Sequence, residues 1–185
     1  MRSWLVALLL AVAVGTAPNV FAQDEGITPE WDVKENMAAL RNDVGRLEPL
    51  LKRVNTASWN GAPVSYGKQL QSVQTSLQHL VAATQGLAED PHRLTVALDA
   101  FFRMEKMELL LTSLSEGIRK YQSGTVADEM SELLVANSVH RDKLRRHIAD
   151  LSAVREQELV VMNQEAQRCR ASLAKQSTTV PKEKK

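Results

Sequence analysis

Apolar residues recur along this chain at alternating steps of four and three. Val33, Met37, Leu40, Val44, Leu47, Leu51 and Val54 form one series. Tyr66, Leu70, Val73, Leu77, Leu80, Thr84 and Leu87 form a second. A half-buried strand alternates every second residue, whereas this spacing draws a narrow apolar seam along one face of an α-helix. A helix with one seam is stable only when that seam is covered, so several such helices must pack on each other. Hydrophobic residues make up 44% of the chain but aromatic residues only 4%. The core is therefore expected to consist mostly of Leu, Val, Ala and Met.

Turn and cap residues divide the pattern. Thr28 followed by Pro29 reads as an N-cap and a first helical position, with Glu30 and Asp32 near the positive end of the dipole. This first helix is expected over 29–55. Pro49 lies off the seam and crowds the carbonyl of Gly45, which predicts a bend rather than a stop. The segment Ser58-Trp59-Asn60-Gly61-Ala62-Pro63 is loop chemistry, with Trp59 expected to fold over the end of the bundle. A second helix follows over 63–87. Its outer face carries Gln69, Gln71, Gln74, Gln78 and Gln85, an uncharged surface that water or a partner can hydrogen-bond.

Asp90-Pro91 opens a third helix, 91–122. Leu94, Ala97, Phe101, Met104, Met107, Leu111, Leu114, Ile118 and Tyr121 line its inner face, and Phe102, Leu109 and Leu110 widen the stripe, which marks it as the central helix. Ser123-Gly124 ends it. Thr125 and Asp128 resemble a capping box, and the pattern then stays helical to Lys175. A single helix of that length spans about 75 Å, against about 48 Å for the third. The mismatch predicts a break at Asn137-Ser138, giving a short helix over 125–136 and a long one over 138–175. Leu144, Ile148, Leu151, Leu159, Met162, Ala166, Cys169 and Leu173 then face inward. The fold class is all-α: an up-and-down antiparallel bundle of four long helices with one short extra helix, in a single domain over 23–175. Residues 176–185 are polar, end in Lys-Glu-Lys-Lys and are expected to be disordered.

The N-terminus reads as an export signal. Arg2 precedes an uncharged apolar run from Trp4 to Val14; Pro18 and Asn19 break it, and Val20-Phe21-Ala22 suits a signal peptidase. Cleavage is expected between Ala22 and Gln23, with an uncleaved N-terminal anchor as the alternative. The run is short for a membrane helix, and no later segment approaches the uncharged span one needs. The expectation is an exported protein of the periplasm or extracellular space, with no stable membrane insertion after signal cleavage. A net charge of +1 gives no electrostatic case for nucleic acid.

Catalytic signatures are absent from the sequence. It contains no phosphate loop, nucleophile elbow, His-Glu-x-x-His or calcium loop. Its one Glu-x-x-His, Glu89 to His92, is interrupted by Pro91, which excludes the inward pair a di-iron bundle requires. No Cys-x-x-Cys-His exists for covalent haem. His140 and His147 lie seven apart on one face of the last helix, with Met37, Met104 or Met107 as candidate second ligands for a haem, and Met104 and Met107 are separately spaced as in a methionine copper site. The plainer reading makes the histidines boundary residues, the methionines core filler, and the basic run from His140 to His147 a solvated face paired with Glu105 or Glu108. Cys169 is the chain's one cysteine, flanked by Arg168 and Arg170. It is a candidate intermolecular disulfide or free thiol, with a buried inert thiol and a redox role as the alternatives. The sequence thus predicts no enzyme and no bound cofactor. It points to a helical-bundle protein that works by protein–protein interaction, by self-association or as a structural envelope component, with the overhanging last helix as its partner surface. A small haem- or copper-binding carrier is the alternative.

Overall fold

Each expected seam lies on a helix. The computed structural model describes residues 30–178, which form α1 (Glu30–Gly45), α2 (Leu47–Lys52), α3 (Ser65–Glu89), α4 (Leu94–Tyr121) and α5 (Gly124–Thr178), with one 3-10 turn at Thr56–Ser58. No strand occurs among the described residues. The segment expected to be a cleaved signal, residues 1–22, lies outside them, as do 179–185 of the expected tail. The successive long helices run antiparallel and close a four-sided ring, in which α1 meets α3, α3 meets α4, α4 meets α5 and α5 returns to α1. The backbones on the two diagonals stay apart. This is the up-and-down bundle the seams require. Every long helix, not only α4, has two neighbours.

The core is the sum of the seams. Met37, Leu40, Leu47, Leu51, Leu80, Leu87, Leu111, Leu114, Ile118, Met130 and Leu144 are all but completely buried. Each such side chain contributes about 1.5–3 kcal/mol relative to exposure. Of the residues that widen the α4 stripe, Leu110 packs partly buried against the core, while Phe102 and Leu109 are exposed.

The first helix divides where Pro49 dictates. Pro49 has no N–H for the Gly45 carbonyl, and its ring occupies the space of that bond. α1 ends at Gly45, and Arg46 is a single connecting residue that stays right-handed at φ −70, ψ −19. Its N–H is shared between the carbonyls of Asn42 at 3.3 Å and Asp43 at 3.1 Å. The chain bends and resumes as α2, so the short extra helix lies here and not at 125–136.

Further boundaries differ from expectation, and α3 is shifted by two residues at each end, to Ser65–Glu89. α4 begins at Leu94 rather than at residue 91, because the Pro91 carbonyl is engaged by a side chain of α5. The break expected at Asn137-Ser138 does not occur, and α5 is continuous. Ser138 donates its hydroxyl hydrogen bond to the Val135 carbonyl at 2.7 Å, satisfying itself within the helix. Neither Gly nor Pro is present to turn the chain, and burial of Leu133 and Leu144 on either side holds the helix through. The mismatch in length is resolved by leaving the far half of α5 uncovered.

One end of the bundle is sealed. Trp59, 5% exposed, stacks on Tyr121 at 5.7 Å and meets Tyr66 edge-on at 5.2 Å, while Tyr66 and Tyr121 meet at 5.8 Å. Gln122 ties the loop down. Its Oε1 accepts from the Trp59 indole N–H and the Asn55 backbone N–H, both at 3.0 Å, and its Nε2 donates to the Arg53 carbonyl at 2.8 Å. A Cβ on Gly117 would run into the Tyr66 ring, so glycine is what fits at that point of α4. Gly61 takes φ +74 in the turn beyond Trp59.

Candidate functional site

Two regions of α5 carry the functional candidates. The first is a groove of about 520 Å³ between the start of α1 and the middle of α5. Asp32, Glu35, Asn36 and Met37 line one wall, and His140, Lys143, His147 and Asp150 line the other. Spacing of seven on one helix brings His140 and His147 to the same wall, as the sequence implied, and that wall faces α1. Met37 opposes them but is fully buried.

His140 is clamped by α1. Its Nδ1 lies 2.6 Å from Asn36 Oδ1 and its Nε2 lies 3.1 Å from Asp43 Oδ2, while Asn36 Nδ2 donates to the His140 carbonyl at 3.5 Å. Both ring nitrogens are occupied, which makes His140 a polar latch between α1 and α5.

His147 is different. It is only 2% exposed, and its Nε2–H donates to the Pro91 carbonyl at 2.7 Å. That bond sets the tautomer and leaves Nδ1 buried without a hydrogen-bond partner. Burial lowers the ring's pKa below the ordinary histidine value, opposed by the Pro91 carbonyl and the charge of Asp150; nearby His92 adds to the lowering. His147 is thus held as a neutral ring that pins the α3–α4 turn onto α5.

The other sequence candidates are scattered. Met104 and Met107 are buried on α4 beside Leu40, Val44 and Leu80, in a gap of about 20 Å³. Among the described residues, no group of three or more His, Cys, Asp or Glu side chains is placed to hold a metal ion. Glu89 and His92 are both exposed at the end of α3 and the turn that follows. The basic run is in part paired: Arg141 bridges Glu108 and approaches Glu105 at 3.8 Å, and the Glu108 contact raises the pKa of its guanidinium.

The second region is the far half of α5. Of the residues expected to face inward there, Leu144 and Leu151 are buried and Ile148 is partly buried. Leu159, Met162, Ala166, Cys169 and Leu173 are exposed, since no other helix extends that far. Every residue from Arg155 to Gln176 is exposed. This rod is about 33 Å long at 1.5 Å per residue. Arg155 stands at its base, donating to the His92 carbonyl at 3.4 Å and pairing with Glu158 at 2.6 Å. Leu159, Met162 and Leu173 are 58%, 63% and 62% exposed, and Val160 and Val161 add apolar surface beside them. Cys169 is an exposed free thiol on the same rod, not a buried one. No helix among the described residues is long and apolar enough to cross a membrane. Comparison with protein-family models, with curated proteins and with solved structures finds no match to this chain.

Proposed function

We propose that this protein works by binding another protein chain through the exposed half of α5, with the four-helix bundle as the base that aims it. The observation that carries this reading is the run of uncovered apolar side chains on an otherwise regular helix. Leu159, Met162 and Leu173 stand in water at a cost that only a partner removes. An amphipathic helix presenting anchors at steps of three and four is a recurring mode of recognition. The apolar run from Trp4 to Val14, followed by Val20-Phe21-Ala22, supports placing that interaction outside the cytoplasm.

The test is site-specific photocrosslinking in the producing cell. A photoreactive residue at Met162 is expected to yield a discrete protein adduct, and one at Gln78, exposed on α3, is not. Adducts from Gln78 and none from Met162 would overturn the reading. A haem absorbance band or stoichiometric copper in the purified protein would replace it with the carrier reading, and His147 and Met37 would be the first residues to substitute.

A further inference from the structure

We infer that the occupant of the exposed half of α5 is the same half-helix of a second copy, running antiparallel. This deepens the proposed function and rests on it. Leu159, Met162, Ala166, Cys169 and Leu173 follow one another at steps of three and four, in phase with the buried Leu144 and Leu151. Interrupted at Arg155, the apolar stripe thus resumes on the rod along the side of α5 that faces the core, and its steps of three and four there are those of a coiled-coil seam.

Charge selects the partner and its direction. Residues 156–165 carry Glu156, Glu158 and Glu165 and no base, while residues 166–175 carry Arg168, Arg170 and Lys175 and no acid. Laid side by side in opposite directions, two rods set each acidic half against a basic half. Laid in the same direction, they set like on like. The opposition is between whole halves: Glu156, Glu158, Glu165 and Arg170 flank the seam, while Arg168 and Lys175 lie on the outer face. Sterics agree. The seam faces the side on which the bundle lies, so a parallel pair would bring two bundles into one space, whereas an antiparallel pair places them at opposite ends.

With the overlap centred near Gln164, Leu159 packs on Cys169 of the second copy and Met162 on its Ala166. Glu156, which flanks the seam on the same side as Arg170, then lies within one turn of Arg170 of the second copy. The two Cys169 thiols end about 15 Å apart along the axis, since ten residues separate Cys169 from Leu159. Cys169 in this arrangement is a seam residue and not a crosslink.

Sedimentation equilibrium of the full chain, with disulfide mapping, tests this. A reversible monomer–dimer equilibrium is expected, without a Cys169–Cys169 disulfide under mild oxidation. Leu159→Cys is expected to close a covalent dimer joining position 159 to Cys169. The combination Glu156→Lys, Glu158→Lys and Glu165→Lys is expected to weaken the dimer by about tenfold or more. Adding Arg168→Glu, Arg170→Glu and Lys175→Glu should restore it. These positions are exposed, so circular dichroism should show the helix content unchanged. A Cys169–Cys169 disulfide in the native dimer would overturn the antiparallel arrangement. A monomer at every concentration whose Met162 crosslinker still captures another protein would overturn self-pairing and leave the proposed function standing. A monomer with no adduct would overturn both.

Discussion

The two ends of this bundle are finished in opposite ways. At one end Trp59, Tyr66 and Tyr121 close over the core, and Gln122 satisfies the loop's polar groups. Both tyrosines and one of the three tryptophans of the chain are spent there. The other end is held differently. His147 and Arg155 hold the α3–α4 turn through the carbonyls of Pro91 and His92, and α5 runs on alone. Aromatic packing closes the one end, and exposed apolar surface marks the other. The same kind of seam holds the fold together where neighbours cover it and stands exposed where they do not.

Substitutions can break or sharpen this contrast. The largest effect is expected from Trp59→Ala, which removes a buried ring and its bond to Gln122 and should cost about 3–5 kcal/mol of unfolding free energy in a denaturant titration. Gly117→Ala drives a methyl into the Tyr66 ring. Overpacking of about 1–3 kcal/mol should outweigh the gain in helix propensity, again read from the denaturant midpoint.

The open end answers to pH instead. The His147 pKa is lowered in the folded state, so the unfolded chain takes up the proton first as pH falls below the ordinary histidine value. This group's contribution is constant above that value, declines as pH drops through the window down to the folded pKa, and is level below it. Stability against pH for His147→Gln should be flatter in that window by at most one proton, about 1.4 kcal/mol per pH unit. An identical slope in both proteins would refute the buried neutral ring. The smallest effect is expected on the rod: Leu159→Ala should leave monomer stability within about 0.5 kcal/mol, although it removes as large a side chain as a core truncation would. A larger loss would mean the rod is packed on its own bundle.

Much of the fold was legible because a four-three seam has one physical use. The bend is an example: Pro49 and Gly45 announce it through steric and hydrogen-bond terms local to five residues. What was not legible depended on distant partners. Asn137 and Ser138 have the chemistry of a cap, but a cap forms only if the chain has reason to turn, and burial on both sides removed that reason. The periodicity of Leu159, Met162 and Leu173 is the same whether a neighbour covers them or not, so their inward placement did not survive. The shared wall of His140 and His147 could be read from their spacing. The roles of Asn36, Asp43 and Pro91 could not, since they lie on other helices or turns far away in sequence. Gly117 left only a faint sign, a glycine inside a strongly apolar helix, with nothing to point to Tyr66.

The continuity of α5 through Asn137 and Ser138 has a mechanical consequence. With no joint between core and rod, the bearing of the exposed seam is set by the side chains packed around Leu144 and Leu151. One residue inserted after Leu151 would swing the seam by about 100° and turn it away from its bearing, while seven would return it to nearly the original direction. The bundle therefore acts as an indexing mount: it fixes the compass heading of a surface that it does not touch.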